Sequence, residues 1–329
     1  MSVIDLTSAR PAVVPPEVDV RVSTLTRGRR VRNRVATMLM VLAFLLAVVP
    51  LGFVIANVAS EGLKVMKPSF ITNEIPADTS SDDLAGQDLS AYGGPAVSTS
   101  TAPKTKLGIG PAIVGTLLTT LGASLLAVPL GILGAIYLNE YGKQRRLATF
   151  IRFMTDVMTG VPSVVMGVFI YSIWVVRYGV DGKSAFAAAL ALGCLMLPIV
   201  VRTSEEMLRL VPDTLREASA ALGVRRWRTT LSVVLPSALP GITSGAMLAV
   251  ARAAGETAPV LFTIGAVYKY NWSMNGGNTS LSQFIYNQAG LTGDTPLKLA
   301  WGAAFTLITI VLVLTLVARM VSTRLSVVR

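Results

Sequence analysis

The sequence predicts an all-α integral membrane protein with six transmembrane helices, and three observations lead to this fold class. First, 52% of the 329 residues are hydrophobic and only 14% are charged, whereas about 25% of the residues of a soluble domain are charged. Second, the mean hydropathy of +0.62 is too apolar for a chain whose whole surface meets water. Third, six apolar stretches approach the roughly 20 residues that a helix needs to cross a bilayer.

The apolar stretches define the expected organisation of the chain. A basic tail, a first helix, a loop, a core and a second tail follow one another at 1–34, 35–58, 59–108, 109–320 and 321–329. Within the core, the remaining spans are placed at about 111–138, 150–176, 185–203, 237–266 and 297–318. The apolar run of the first helix is too long for a cleaved signal peptide. Gly160 and Pro162 allow a bend in the third span, because bilayer helices tolerate both residue types when neighbours satisfy the backbone.

Lysine and arginine are distributed unevenly between the loops. Twenty of the 29 lie in 1–34, 139–152, 202–236 and 319–329. Eight lie in the alternate segments 59–108, 177–184 and 267–298, and Arg252 lies within a span. Because cytoplasmic loops of membrane proteins carry the excess of positive charge, both termini and the 202–236 loop are expected in the cytoplasm. This topology accounts for the net charge of +11, so a nucleic-acid partner is not needed to explain it.

The composition also excludes several kinds of catalytic site. The chain has no His, which removes imidazole metal sites and Ser-His triads. It has no G-x-x-x-x-G-K-[ST] loop, so it should not bind or hydrolyse ATP itself. The lysines lie outside the spans or at their ends, which argues against a buried Ser-Lys hydrolase. We expect no catalytic residue, no metal and no cofactor bound by this chain.

The long loop at 59–108 has two interpretations. Its part from residue 73 onwards is rich in Ser, Thr, Gly, Pro and Asp and poor in aromatic residues. Such a composition is typical of a flexible external segment. A contact surface for an extracytoplasmic partner is the other interpretation.

The cytoplasmic loop at 204–236 is expected to contain two short helices. Pro212 and Asp213 favour the start of the first one. Gly223 is typical of a helix end with positive φ. A second helix from about 225 to 235 should stop at Pro236, which cannot continue the hydrogen bonding. Spacing alone leaves open that this unit is plain connecting structure.

The residues in this loop resemble the signature E-A-A-x3-G-x9-I-x-L-P of the membrane subunits of binding-protein-dependent ABC importers. The matches are Glu217, Ala218, Ser219, Gly223, Val233, Leu235 and Pro236. Ser219 and Val233 depart from the signature conservatively. The resemblance implies the type I importer, MetI-like permease architecture, and it implies that these residues dock in a cleft of a separate ATPase subunit. Domain closure there would reach the spans as a rigid-body movement.

The fifth span contains two ionisable residues, Arg252 and Glu256, four positions apart and therefore on one helical face. Ionisable residues within a bilayer usually face a cavity or a partner, although this pair can also neutralise itself. An arginine offers a forked, permanently charged donor to an oxyanion. Glu256 can orient Arg252 or accept a hydrogen bond from a protonated phosphate oxygen. Arg152 and Asp156 in the third span are also four positions apart, so we expect them to form an ion pair with each other.

Three further stretches are similar to those of Pst-type phosphate permease subunits, and the last of them is closer to the A-type subunit. They are ARAAGETAP at 251–259, GVPSVVMGVF at 160–169 and YLNEYG at 137–142. The resemblance implies that Arg252 and Glu256 are the charges of the translocation path. Arg202 also resembles an arginine of that family, although a positive-inside anchor explains it equally well.

The resemblance implies an importer of inorganic phosphate in the bacterial cytoplasmic membrane. The implied partners are a homologous second permease subunit, two copies of an ATPase that uses ATP and Mg, and an extracytoplasmic phosphate-binding protein. Two alternatives stay open: a permease for another oxyanion such as molybdate or sulfate, and an ion-coupled secondary transporter.

Overall fold

The computed structural model describes residues 27–76, 107–142 and 145–327. Within these ranges all regular secondary structure is helical, as the composition predicts. Most of the predicted basic tail and the greater part of the 59–108 loop lie outside the described residues, at 1–26 and 77–106. Both interpretations of that loop therefore stay predictions.

The helices follow one another in a simple order. They are α1 Arg27–Val65, α2 Pro68–Thr72, α3 Gly110–Ile136, α4 Arg146–Gly160, α5 Ser163–Ile170, α6 Val176–Tyr178, α7 Ala185–Arg209, α8 Asp213–Ala221, α9 Arg226–Thr229, α10 Leu235–Ala254, α11 Ala258–Thr263, α12 Leu281–Ala289 and α13 Asp294–Val327. Single π-helical turns extend three of them: Tyr137–Tyr141 follows α3, Tyr171–Val175 follows α5, and Thr230–Val234 joins α9 to α10.

Five helical stretches in the described residues are long and apolar enough to cross a membrane by themselves. They are Gly28–Val65, Gly110–Tyr141, Ala185–Arg209, Arg226–Ala254 and Asp294–Arg324. The first, third and last of these stretches run several residues beyond the predicted bounds. The region of the predicted third span is bent: α4 and the stretch Ser163–Tyr178 meet at an angle of 106°. The region predicted as one span at 150–176 therefore consists of two helices, and the bend expected at Gly160 and Pro162 is confirmed. A residue before proline avoids helical geometry, which explains the break.

The fifth span also differs from its prediction at 237–266. The helix ends at Ala254, and a separate short helix, α11, begins at Ala258. Pro236 was expected to stop the preceding helix, and this prediction is wrong. Pro236 instead lies in the first turn of α10, directly after a π-helical turn. Proline is tolerated in a first turn, since its missing N–H costs little there. The second helix of the 204–236 loop and the fifth span consequently form one continuous rod.

The chain divides into two compact units, Met1–Ala56 and Asn57–Arg329. The described part of the first unit is the beginning of α1, whose large apolar side chains are exposed, among them Phe44 and Phe53. Such a surface suits lipid or a partner rather than water. All features discussed below lie in the second unit.

Small residues dominate the core of the second unit. Ala123 and Ala127 of α3 pack with Ala188 of α7 and with Ala249 of α10, and all four are buried. Small side chains let helix backbones approach closely, which is how helices associate where lipid removes the hydrophobic driving force. A second buried cluster joins the same three helices beside the 204–236 loop; its members include Ala135, Leu208, Val234 and Ile242. The loop therefore rests directly on the bundle.

Candidate functional site

Arg252 and Glu256 meet at the place where the fifth span is broken. Arg252 lies in the last turn of α10, and its Nε donates to Oε1 of Glu256 at 3.3 Å. Glu256 stands beyond the helix end, so the two residues are close but do not share one continuous helical face as predicted. The Arg252 side chain is 68% exposed and the Glu256 side chain 21%. The guanidinium therefore has room for an additional ligand.

The break is held in place by α12. Oγ of Ser282 donates to the backbone carbonyl of Glu256 at 3.0 Å, and Ser282 itself is buried. The amide of Glu256 donates to the carbonyl of Ala253 at 3.2 Å. The position of the Glu256 backbone is thus fixed while its carboxylate stays partly accessible. Nothing in the sequence around Ser282 pointed to this contact, which depends on how α12 packs.

One face of the C-terminal half of α10 is exposed. Ser244, Leu248 and Arg252 recur every four residues and are all exposed. A cavity of about 860 Å³ opens beside the same face, between α7, α10 and α13. Glu206, Ser244, Leu248 and Arg319 are among the residues that line it. Because a charge facing lipid is costly, we expect this face to meet a polar path or a partner subunit.

Two ion pairs join the third and fourth spans. Arg152 of α4 donates to Oε1 of Glu205 at 2.9 Å, and Arg202 of α7 forms an ion pair with Asp156. The predicted local pair of Arg152 and Asp156 is therefore wrong. Glu205 is buried, and a buried carboxylate needs a cationic partner far more than an exposed one does. Among the described residues no ion pair joins Arg202 to the Arg252–Glu256 pair.

The 204–236 loop has the helix–turn–helix form that its sequence predicts. The helix α8 is followed by Gly223 with φ of +74°, and α9 begins at Arg226. The positive φ expected at Gly223 is thus confirmed. Oγ of Ser219 and Oγ1 of Thr229 are hydrogen-bonded at 2.8 Å, and both residues are buried. This bond fixes the angle between α8 and α9.

The signature residues fall into two groups. Glu217 and Ala218 face outwards on α8, whereas Ser219 is buried and Val233, Leu235 and Pro236 are half-buried where the loop enters the bundle. Beside the first group lie large apolar side chains that this chain leaves exposed: Leu215, Leu222 at 83% and Trp227 at 54%. Exposed apolar residues concentrated in a polar loop are typical of a protein contact.

A third set of charges surrounds the end of α3 and was not predicted from the sequence. Glu140, which is buried, lies in the π-helical turn at Tyr137–Tyr141. Nη2 of Arg216 donates to its Oε1 at 3.0 Å. The signal that could have revealed this contact is a carboxylate at a helix C-terminus, where the helix dipole disfavours negative charge unless a cation is near.

Comparison with known proteins agrees with this arrangement of bundle and loop. A model of the protein family described as "Binding-protein-dependent transport system inner membrane component" matches residues 127–327. The chain belongs to this family. The matched region contains the 204–236 loop, the broken fifth span and the cavity between α7, α10 and α13.

Similar proteins include bacterial permeases named for phosphate transport. "Phosphate transport system permease protein PstA 1" of Mycobacterium tuberculosis is 40% identical over 299 residues, which is 90% of each chain. The protein PstA of Mycobacterium leprae is 40% identical over 86% of each chain. That of Haemophilus influenzae is 39% identical over 67% of this chain and 77% of its own. These identities confirm the family resemblance seen in the sequence.

Solved structures of importers share the fold. A bacterial ABC transporter involved in the import of alginate matches 90% of this chain and 99% of its own, with a TM-score of 0.56 and 14% identity. The inward-facing MetNI methionine ABC transporter matches 65% of this chain and 93% of its own, with a TM-score of 0.53 and 18% identity. The predicted MetI-like permease architecture is confirmed.

Proposed function

We infer that this chain is the membrane permease subunit of an ATP-driven importer of inorganic phosphate. The observation that carries this conclusion is the 40% identity, over 90% of both chains, to a permease named for phosphate transport. The same relationship removes support from the two alternatives, a permease for molybdate or sulfate and an ion-coupled secondary transporter. The geometry of Arg252 and of the 204–236 loop supplies a physical mechanism.

Arg252 is the residue that binds phosphate in the translocation path. Its exposed guanidinium offers two parallel donors to two phosphate oxygens. A homologous second permease subunit covers the exposed face of α10, so that the path runs between the two subunits. Glu256 orients Arg252 through the 3.3 Å contact and accepts a hydrogen bond from a protonated phosphate oxygen. Sulfate and molybdate carry no such proton at neutral pH, and a carboxylate repels them.

Arg202 contributes to the path only in a second conformation. Its guanidinium is already engaged by Asp156 in this structure. Because an exposed ion pair contributes only about 0–1 kcal/mol, phosphate can compete with the Asp156 carboxylate. Arg202 is therefore a secondary phosphate contact at the inner mouth of the path.

The 204–236 loop connects this path to a separate ATPase subunit, of which two copies serve the complex. The exposed residues Glu217, Leu215, Leu222 and Trp227 dock on that subunit. The stretch from Arg226 to Ala254 has 29 residues, so it forms a rod of about 43 Å between the docking surface and the Arg252 site. Movement of the loop thereby reaches the phosphate site along one continuous helical stretch.

This division of labour makes the chain a non-catalytic subunit. ATP and Mg are bound by the ATPase subunit, and no metal or cofactor is held here. Both termini and the 204–236 loop lie in the cytoplasm of a bacterium. On the other side of the membrane, a phosphate-binding protein delivers the substrate.

Uptake by the reconstituted complex tests this function. Vesicles containing both permease subunits and the ATPase, with the binding protein outside, should accumulate labelled phosphate only when ATP is inside. An excess of molybdate or sulfate should not compete, and an ionophore should not stop uptake. Uptake that needs no ATP and collapses with the ionophore would identify a secondary transporter, and competition by molybdate would identify a different cargo.

A further inference from the structure

The end of the second span is a meeting point of charges that the proposed transport path does not use. We define the span-two hub as the π-helical turn Tyr137–Tyr141 with the three arginines that bind it, Arg152, Arg216 and Arg226. The three arginines come from three different helices, α4, α8 and α9. Two of these helices belong to the 204–236 loop, so the hub joins the loop to a span that is distant from it in sequence.

The hub contacts are directed at backbone and side chain alike. Arg152 Nη2 donates to the carbonyl of Leu138 at 2.8 Å, and Arg226 donates to the carbonyl of Glu140. The Arg226 guanidinium also lies over the ring of Tyr141, 5.4 Å from its centre. Arg216 binds the Glu140 carboxylate at 3.0 Å through Nη2. The bonds from Arg152 and Arg226 satisfy backbone carbonyls that the last turn of a helix leaves without partners.

Arg216 makes the most connections in the hub. Besides Glu140 it donates to the carbonyls of Leu208 at 2.9 Å and Val211 at 2.7 Å, and to Asp213 at 3.0 Å. Only 17% of its side chain is exposed. One guanidinium therefore ties together the end of α3, the end of α7 and the start of α8.

The electrostatics explain why these groups stay together. Glu140 is 3% exposed and stands at the negative end of the helix dipole of α3. A buried carboxylate in that position is unfavourable unless cations and hydrogen bonds compensate it. Asn139 supplies one further bond, from Nδ2 to Oε1 of Glu140 at 2.8 Å. Separating the loop from span two would leave this carboxylate uncompensated, so the two should move as one body.

We propose that Glu140 and Arg216 are positioning residues that make span two move with the loop when the ATPase closes. This inference rests on the proposed function for the source of the movement. The loop then has two attachments to the bundle: a covalent one, through α9 and α10 into the fifth span, and a non-covalent one, through the hub into the second span. With both attachments intact, both helices shift in one step. With the hub broken, the loop moves the fifth span alone and ATP is hydrolysed without completing transport.

The first test compares phosphate moved with ATP hydrolysed in the same reconstituted vesicles. Glu140→Gln keeps the shape of the side chain but removes its charge. In this variant the number of phosphate ions moved per ATP hydrolysed, the transport-to-hydrolysis ratio, should fall about tenfold, which is within the usual range of coupling between two sites. Arg216→Lys, which keeps the charge but loses the fork, should lower the ratio by a smaller factor. The matched control is Lys298→Arg: Lys298 pairs with Asp294 at 3.6 Å within α13, and this pair shares no residue with the hub, so the transport-to-hydrolysis ratio of the control should equal that of the wild type.

The second test does not depend on phosphate. Hydrogen exchange at residues 137–142 and 213–229 is followed in the complex when a non-hydrolysable ATP analogue is added. In the wild type both segments should change, whereas in Arg216→Lys only the loop should change. The inference is overturned if the segment at 137–142 responds equally in both proteins, or if the Glu140→Gln ratio matches the control. A wild-type complex that moves no phosphate would refute the proposed function, and the exchange experiment would still decide on the hub.

Discussion

Ser219 and Thr229 are hydrogen-bonded at 2.8 Å across the turn at Gly223, and both are buried in a loop that is otherwise largely exposed. The importer signature has alanine at the position of Ser219. In this chain the extra hydroxyl therefore adds a hydrogen bond between α8 and α9. A stiffer angle between the two helices suits an element that must transmit force rather than absorb it.

Replacing Ser219 by Ala should remove this hydrogen bond between α8 and α9. We expect a loss of about 1 kcal/mol in stability, the net value of a typical hydrogen bond. The measurement is thermal unfolding of the detergent-solubilised protein. Ser232→Ala is the matched control, because the exposed Ser232 donates to the carbonyl of Arg228 four residues earlier and does not join α8 to α9. Equal shifts of the unfolding midpoint in the two variants would show that the hydrogen bond between Ser219 and Thr229 contributes nothing to stability.

The positive φ of Gly223 gives a prediction about coupling. A Cβ at this position would meet no atom within 4 Å, so the effect of a substitution comes from the backbone alone. Gly223→Val should cost about 1–3 kcal/mol in local strain and misplace α8 relative to α9. We expect ATP hydrolysis to continue while phosphate uptake is lost. Gly223→Asn should retain most of the uptake, since asparagine tolerates this conformation; equal loss in both variants would contradict the explanation.

Arg252 should be required for phosphate transport but not for assembly. Arg252→Gln removes a charge-assisted hydrogen-bond donor, and such bonds contribute about 1.5–3 kcal/mol, so uptake below saturation should fall roughly 10- to 100-fold. Arg252→Lys should lower phosphate uptake by a smaller factor, because lysine keeps the positive charge but lacks the two parallel donors of the guanidinium. The measurements are phosphate uptake and co-purification of the ATPase. Arg177→Gln, at an exposed arginine of α6, is the control and should transport normally. Wild-type uptake by Arg252→Gln would remove the residue from the path.

The contact between α5 and α11 depends on Gly167. A Cβ there would lie 2.6 Å from Cα of Pro259, which is backbone and cannot give way. Gly167→Ala should therefore destabilise the protein by about 1–3 kcal/mol. Gly134→Ala is the control, because its nearest neighbour, Cγ2 of Val201, would be at an ordinary 3.6 Å. Thermal unfolding of both variants should separate them, and equal midpoints would contradict the tight contact.

Features that depend on local sequence were predicted well. The apolar runs predicted the spans, and the glycine at 223 predicted both its positive φ and the turn between two helices. The bend in the third span followed from Pro162, whose ring restricts the residue before it. Each of these properties depends only on residues that are close together in the sequence, so composition and spacing are enough to predict it.

Features that depend on packing were not predicted. The partners of Arg152 and Arg202 lie on neighbouring helices, 53 and 46 residues away along the chain. Spacing favoured a local pair, but burial of Glu205 decided the outcome. Similarly, the fifth span was predicted to continue to 266, because the residues on both sides of its break are equally apolar. The contact of Ser282 with Glu256, which holds that break, comes from a part of the chain 26 residues further on.

The central claim is that energy from a separate ATPase enters this chain through the exposed residues of α8 and the turn that follows it. A photo-crosslinking amino acid at position 222, which is 83% exposed, tests this most directly in the intact complex. We expect an adduct with the ATPase subunit from position 222, and no ATPase adduct from the same probe at Leu121, an exposed residue within α3. An adduct with the extracytoplasmic binding protein instead, or no protein adduct from position 222, would show that the loop does not dock on the ATPase subunit.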